Sequence, residues 1–206
     1  ASKVTVWADL AGSGDANRTY TQANGTYQPT YVASDPTAGN RPYVSTATGF
    51  DHMLSGTWGT SYAAPVTVYT VGAIDGGQGR LTDADFNLNG GANRLIVWDS
   101  GTHFWSSNAA GATTLDTTLA FAGVRVVCTI FDGASSEQYV TDFVTPAKTG
   151  NHSAVSLGGV QYLFATVGPV GGGIGQKLFE LAMCSGHHDQ ATRLKWRNYF
   201  AGLYRI

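Results

Sequence analysis

The hydrophobic pattern between residues 124 and 144 predicts an antiparallel β-hairpin. Its first half alternates, so that one strand face carries Val124, Val126, Cys128 and Ile130. The opposite face mixes polar and apolar side chains, which is typical of a strand buried on one side and half covered on the other. An Asp-Gly pair then interrupts the run, and glycine supplies the positive φ that a chain reversal requires. The second run, 137–144, completes the hairpin.

Short extended runs separated by glycine-rich turns recur along the whole chain. The pattern predicts further strands at 4–10, 65–74, 80–89, 95–106, 154–157, 161–167 and 176–184. The segment 189–203 departs from this pattern, because its apolar residues follow a helical period. Trp196, Tyr199, Phe200 and Leu203 form one stripe, whereas Arg193, Lys195 and Arg197 avoid that stripe. The chain is therefore predicted to be all-β with one C-terminal helix.

Composition and charge support this fold class and exclude two classes of function. Charged residues make up 13% of the 206 residues, and there are 27 glycines, which is typical of a β protein with many turns. The net charge of −2 comes without a basic run, so binding to nucleic acid is not expected. No apolar run has the length of a membrane span, and the first residues lack the features of a signal peptide. The length suits one domain, 1–206.

Several motifs resemble the laminin-G-like branch of the concanavalin A-like lectin/glucanase superfamily. The hairpin contains Phe131-Asp132-Gly133 followed by Tyr139-Val140. Near the N-terminus, a Trp-x-Asp at 7–9 precedes a Gln, a Pro-x-Tyr and a Gly-Phe-Asp at 49–51, although His52 stands where the family has glycine. A glycine-rich turn, a strand and a helix at 173–206 complete the order. The resemblance implies a jelly-roll sandwich of two antiparallel sheets.

The glucanase members of that superfamily carry two catalytic glutamates a few residues apart on one strand. This chain has only Glu137 and Glu180, which are far apart in sequence. Two carboxylates near one bond are what glycoside hydrolysis requires. The chain is therefore predicted not to be an enzyme, and a hydrolase or lyase with other residues is the third-ranked alternative.

The segment 95–106 predicts a tight hairpin with a two-residue turn at 100–101. That register pairs Trp98 with His103 and places Trp105 on the same face. Aromatic side chains can stack on the C–H faces of sugar rings, so this face is the candidate ligand platform, and its alternative is ordinary core of the second sheet. The candidate residues are Trp58, Tyr62, Trp98, His103 and Trp105.

Acidic and amide side chains between residues 83 and 89 indicate a candidate calcium site. Asp83, Asp85 and Asn87 alternate along one strand, and carboxylate and amide oxygens are calcium ligands. The glycine and glutamate of an EF-hand are missing, so a solvated strand face is the alternative, and loops near Asp9 and Asp15 are a second candidate. Calcium is the only cofactor that the sequence suggests.

Two further features are ambiguous in sequence. Cys128 and Cys184 lie in apolar strands, where they are either two buried thiols or a disulfide. The run His187-His188-Asp189 is interpreted as a polar turn that opens the helix, because no further spaced ligand accompanies it.

The predicted function is a non-catalytic carbohydrate-binding or adhesion module whose partner is a glycan or surface polysaccharide. By the resemblance, its expected location is a virion surface or the extracellular space. The alternative is a structural decoration or assembly protein that binds capsid or tail proteins of a phage. Fold alone does not decide between them.

Overall fold

The computed structural model describes residues 2–8, 18–46, 51–56, 63–74, 80–85, 95–99, 104–109, 115–120, 123–140, 142–152, 160–164 and 175–206. For the strands between residues 80 and 120, and for 160–162, the description covers the backbone. In chain order the strands are β1 (Ser2–Lys3), β2 (Val6–Trp7), β3 (Tyr20–Thr21), β4 (Thr30–Asp35), β5 (Arg41–Ser45), β6 (Met53–Ser55), β7 (Val66–Ile74), β8 (Arg80–Asp85), β9 (Leu95–Asp99), β10 (Phe104–Ala109), β11 (Leu115–Ala120), β12 (Arg125–Phe131), β13 (Ser136–Tyr139), β14 (Lys148–Gly150), β15 (Val160–Leu163) and β16 (Gln176–Ser185).

The described strands form two antiparallel sheets. The first has the order β1-β4-β5-β16-β7-β12-β13-β14, and the second has the order β11-β10-β9-β8-β15-β6-β3-β2. The helix α1 (Gln190–Tyr204) follows β16. This arrangement confirms the predicted all-β sandwich with one C-terminal helix. Within the described residues no helix is long and apolar enough to cross a membrane.

Two hydrophobic clusters divide the molecule into three layers. Between the sheets, Val127 and Leu178 of the first sheet meet Met53 and Leu163 of the second. On the outer face of the first sheet, Phe200 and its neighbours on α1 pack against β7 and β12. The helix therefore covers a sheet face that would otherwise be exposed to water.

The predicted central hairpin is confirmed, but its burial differs from the prediction. β12 and β13 are antiparallel, with Cys128 opposite Tyr139. The face carrying Val126 packs under α1, and the face carrying Val127 packs between the sheets. Both faces of β12 are thus buried, because the helix covers one face and the second sheet covers the other. The sequence had predicted one buried face and one half-covered face. The second strand ends at Tyr139 instead of continuing to Val144.

The two cysteines are free thiols. Cys128 lies opposite Tyr69 and Cys184 lies opposite Thr67, so β7 separates the two strands that carry them. Two strand spacings amount to about 9.5 Å, whereas a disulfide needs Cα atoms within about 7 Å. The open question from the sequence is therefore resolved against a disulfide. Burial raises the pKa of both thiols.

The helix α1 is capped at its N-terminus and fixed to the first sheet at its C-terminus. Asp189 is the N-cap, and its side chain accepts a hydrogen bond from the backbone N–H of Thr192 over 2.8 Å. At the other end Arg41 donates from Nε to the carbonyl oxygen of Leu203 over 3.1 Å. Gly39 approaches so closely that a Cβ there would lie 3.2 Å from Cγ of Arg205. These contacts fix where the helix lies on the sheet.

Candidate functional site

The predicted aromatic platform falls mostly outside the described residues. Trp98 lies in β9 and Trp105 in β10, but the description does not extend to their side chains. Trp58, Tyr62 and His103 lie in segments that the structure does not describe. The platform therefore stays a prediction.

The backbone register of β9 and β10 differs from the predicted one. Trp98 lies opposite Ser106 and Trp105 lies opposite Asp99, whereas the two-residue turn pairs Trp98 with His103. The connection between the strands is longer than two residues, and the pairing is displaced by three positions. A shift by an odd number exchanges the two faces of a strand. The predicted register of this hairpin is therefore wrong, whereas the ligand platform itself is untested.

The calcium prediction is likewise untested at the level of side chains. Asp83 and Asp85 lie in β8, where their backbones pair with Tyr162 and Val160. Asn87, Asp9 and Asp15 are outside the described residues. Among the residues that are described, no group of three or more His, Cys, Asp or Glu side chains could hold a metal ion.

The described residues do form an open groove between β16 and α1. It has a volume of about 360 Å³, within the range of small-ligand sites, and described residues that line it are Glu180, Lys195, Trp196 and Tyr199. Glu180 of the sheet thus lines the same groove as Lys195, Trp196 and Tyr199 of the helix.

A β-bulge brings the carboxylate of Glu180 into this groove. Leu178 lies in the core between the sheets, so strict alternation would place residue 180 in the same core. However, Leu178 pairs with Gly72 and Glu180 pairs with Val71, which leaves Phe179 as an extra residue in β16. Bulges redirect side chains in this way. The bulge turns the side chain of Glu180 toward the helix. Glu180 thus lies on the same side of the sheet as Phe179, which packs in the core beneath the helix.

Stacked rings hold the aromatic wall of the groove in position. Trp196 stacks on Tyr69 with ring centroids 5.1 Å apart and on Phe200 at 5.4 Å. Tyr199 stands edge-on to Trp196 at 6.1 Å and 88°, and 52% of its surface is exposed. The buried rings thus fix Trp196, which in turn supports the half-exposed ring of Tyr199.

Glu180 is held by the last residue of the helix. Tyr204 donates its hydroxyl hydrogen to Oε2 of Glu180 over 2.8 Å. Burial and this hydrogen bond raise the pKa of Tyr204, so the hydroxyl stays protonated and remains a donor at neutral pH. One carboxylate oxygen of Glu180 thus has a fixed partner, and the carboxylate borders the groove.

A second polar cluster joins the β12–β13 hairpin to the segment before α1. His187 places Nδ1 2.8 Å from Oδ2 of Asp132 and Nε2 3.6 Å from Oε2 of Glu137. Tyr139 donates to the same Glu137 oxygen over 2.6 Å. His188 instead contacts the Tyr69 hydroxyl through Nδ1 at 2.9 Å. The two histidines have different partners, as expected for the predicted polar turn.

The two glutamates remain apart in the fold. Glu137 lies in β13 and Glu180 in β16, with β12 and β7 between them. Three strand spacings are about 14 Å, which exceeds the separations of about 5–9.5 Å in glycosidase carboxylate pairs. The geometry therefore agrees with the sequence that these residues are not a glucanase pair.

Sequence reasoning did not identify the groove. Trp196 and Tyr199 were assigned to the apolar stripe of the helix, which is correct for Trp196 and only half correct for the exposed Tyr199. Arg193, assigned to the polar side, is buried beneath the helix. No signal in the sequence marks the bulge that redirects Glu180, since β-bulges depend on strand pairing.

No family model matches the sequence, and no curated protein matches it. The fold is similar to that of solved structures. A Trypanosoma rangeli sialidase in complex with sialic acid has a TM-score of 0.66 and 15% identity, over 97% of this chain and 31% of the sialidase. A structure of botulinum neurotoxin type C, which depends on two ganglioside molecules to enter cells, has a TM-score of 0.57 and 8% identity, over 97% of this chain and 51% of the other.

These neighbours confirm the all-β fold and correct one prediction. The chain was predicted not to be an enzyme because it lacks the glucanase glutamates, but several neighbours are sialidases, which are enzymes. That prediction is wrong, since the missing motif does not separate this fold from catalytic proteins. The chain spans about a third of the sialidases, and identities this low show the fold alone. The concanavalin A-like jelly roll is not confirmed.

Proposed function

We propose that the chain is a carbohydrate-binding domain and that the groove between β16 and α1 is its binding site. The observation that carries this proposal is the half-exposed ring of Tyr199 beside Trp196 and the carboxylate of Glu180. Sugar rings present C–H faces that stack on aromatic rings, and their hydroxyls donate hydrogen bonds to carboxylates. An aromatic wall beside a fixed acceptor offers both interactions in one place.

The rigidity of the groove favours binding. Trp196 is stacked between buried rings, and the Tyr204 hydroxyl fixes Glu180. A site whose side chains are already ordered loses little conformational entropy when a ligand binds. The groove can therefore bind a weakly hydrophobic ligand such as a sugar without first reorganising.

The structural neighbours support a glycan as the partner. The sialidase structure contains sialic acid, and the neurotoxin interacts with gangliosides, so both proteins interact with carbohydrate. We further propose laminin-G-like ancestry and a place on a virion or another extracellular surface, where glycans are encountered. A decoration protein that binds capsid or tail chains remains the alternative.

The test is a broad glycan array probed with the purified chain and two tyrosine variants. Tyr199→Ala removes the exposed ring of the groove, whereas Tyr31→Ala removes a ring that is 42% exposed on β4. We expect binding by the parent chain, a roughly tenfold weaker affinity for Tyr199→Ala, or about 1.4 kcal/mol, and no loss for Tyr31→Ala. Absence of binding by the folded chain would contradict the proposal and favour the decoration protein.

A further inference from the structure

We propose that the glycan bound in the groove carries a negative charge, as a carboxylate or a sulfate, and that Lys195 recognises this charge. The inference rests on the proposed function and names the class of ligand for the same site. Three observations support it: the charge distribution along α1, the hydrogen bonds that the neighbouring carboxylates already accept, and the position of Lys195 beside Tyr199.

The helix is positively charged in a chain that is negative overall. The whole chain has a formal net charge of −2, yet residues 190–206 contain no acidic residue and carry Arg193, Lys195, Arg197 and Arg205. Arg193 is buried, and Arg41 adds a further exposed cation beside the end of the helix. The outer surface of α1 is therefore a local positive field, which favours anionic ligands.

The acidic groups that approach this surface already have partners. Glu180 accepts a hydrogen bond from Tyr204. Hydrogen bonds from Thr192 hold the pKa of Asp189 below its usual value, and backbone N–H groups do the same for Asp142. Within the described part of the chain, no carboxylate lies within 4 Å of the Lys195 ammonium group. Asp189 interacts electrostatically with Lys195, and Glu180 lines the same groove, but neither forms a salt bridge with it. An anionic substituent would thus add a direct ion pair at Lys195.

Lys195 is placed to contact a sugar stacked on Tyr199. The two residues are four positions apart on α1, so their side chains lie on the same side of the helix. Both border the groove together with Trp196. A ring stacked on Tyr199 therefore directs its substituents toward Lys195 at one end and toward Glu180 on the sheet side, where hydroxyls are preferred over anions.

The test compares sialylated and sulfated glycans with their uncharged parents on the same array, at low and high salt. We expect the charged glycans to bind more tightly at low salt and to lose this advantage at high salt, because exposed charges are screened. Lys195→Gln should weaken the affinity for charged glycans about fivefold and leave the affinity for neutral glycans unchanged. Lys195→Arg, which keeps the positive charge, should retain the affinity for charged glycans. Lys148→Gln, on the far edge strand β14, is the matched control. The sialylated and sulfated sets distinguish a carboxylate from a sulfate.

Two outcomes would overturn the inference while leaving carbohydrate binding intact. One is equal affinity for charged and uncharged glycans. The other is charge-dependent binding that Lys195→Gln does not reduce more than Lys148→Gln does. Failure to bind any glycan would instead contradict the proposed function itself, together with the inference.

Discussion

Tyr204 and Glu180 are joined by a hydrogen bond of 2.8 Å that links the last residue of α1 to the bulge in β16. Tyr204 is only 5% exposed, and it also packs edge-on against Phe179, the extra residue of that bulge. The end of the helix, the irregular strand and the acceptor of the groove are therefore one structural unit. Changes in any of them should affect both stability and ligand binding.

Tyr204→Phe should lower the free energy of unfolding by about 1–2 kcal/mol, because a half-buried carboxylate loses its donor while the ring is retained. The midpoint of urea denaturation measures the change. Tyr31→Phe is the control, since its ring is 42% exposed on β4. Equal midpoints for the two variants would show that the bond to Glu180 contributes nothing.

The stability of the fold should decrease at alkaline pH. Burial raises the pKa of Tyr69, Tyr139 and Tyr204, and it raises the pKa of both cysteine thiols. A group whose pKa is higher in the folded state keeps its proton there while the unfolded chain loses it. Its contribution is complete below the unfolded pKa and declines above it, from about pH 8.5 for the thiols and about pH 10 for the tyrosines.

Urea midpoints at successive pH values, with tyrosinate absorbance recorded in parallel, would measure this dependence. We expect part of the tyrosine absorbance to change only when the protein unfolds. Ionisation of all ten tyrosines near pH 10 in a chain that stays folded would be inconsistent with the raised pKa values.

Arg193 illustrates what the sequence pattern could not reveal. Its helical position is polar by type, but the guanidinium is buried, with Nη1 donating to the carbonyl oxygen of His188 over 2.8 Å and Nε to that of Phe143 over 3.3 Å. It also lies 4.2 Å from the centre of the Tyr139 ring. The charge is therefore satisfied by carbonyl groups and a ring face that only tertiary contacts bring together.

Arg193→Met should destabilise the fold by roughly 2–4 kcal/mol, because two buried carbonyl groups lose their donors. Lys195→Met, an exposed position on the same helix, should change the stability by about 0.5 kcal/mol or less. Thermal or urea denaturation of both variants makes the comparison. A similar small effect for the two variants would contradict the assigned role of Arg193.

The fold was predictable where local pattern and tertiary structure agree. Strand β16, helix α1 and the β12–β13 hairpin follow directly from residue periodicity. The β9–β10 register was not predictable, because Ser100-Gly101 suggests a two-residue turn while the strands pair three positions away from it. The groove was not predictable from the sequence for a related reason, since the bulge at Phe179 depends on how β7 and β16 align.

Paired cysteines can test that register directly. Cysteines placed at 98 and 106 should form a disulfide, because directly opposite Cα atoms are about 4.5–5.5 Å apart. Cysteines at 98 and 103 should not, and non-reducing mass spectrometry distinguishes the two variants. Cross-linking of only the 98–103 pair would restore the tight hairpin and, with it, one shared face for Trp98 and Trp105.

The central claim is that a glycan binds in the groove beside α1, and the tryptophan indole signals test it most directly. The chain has five tryptophans, and their N–H resonances can be followed while the tightest glycan from the array is added. The account predicts that the signal of Trp196 shifts with the ligand and those of Trp98 and Trp105 do not. Shifts at Trp98 or Trp105 with an unchanged Trp196 signal would contradict it and place the site on the second sheet.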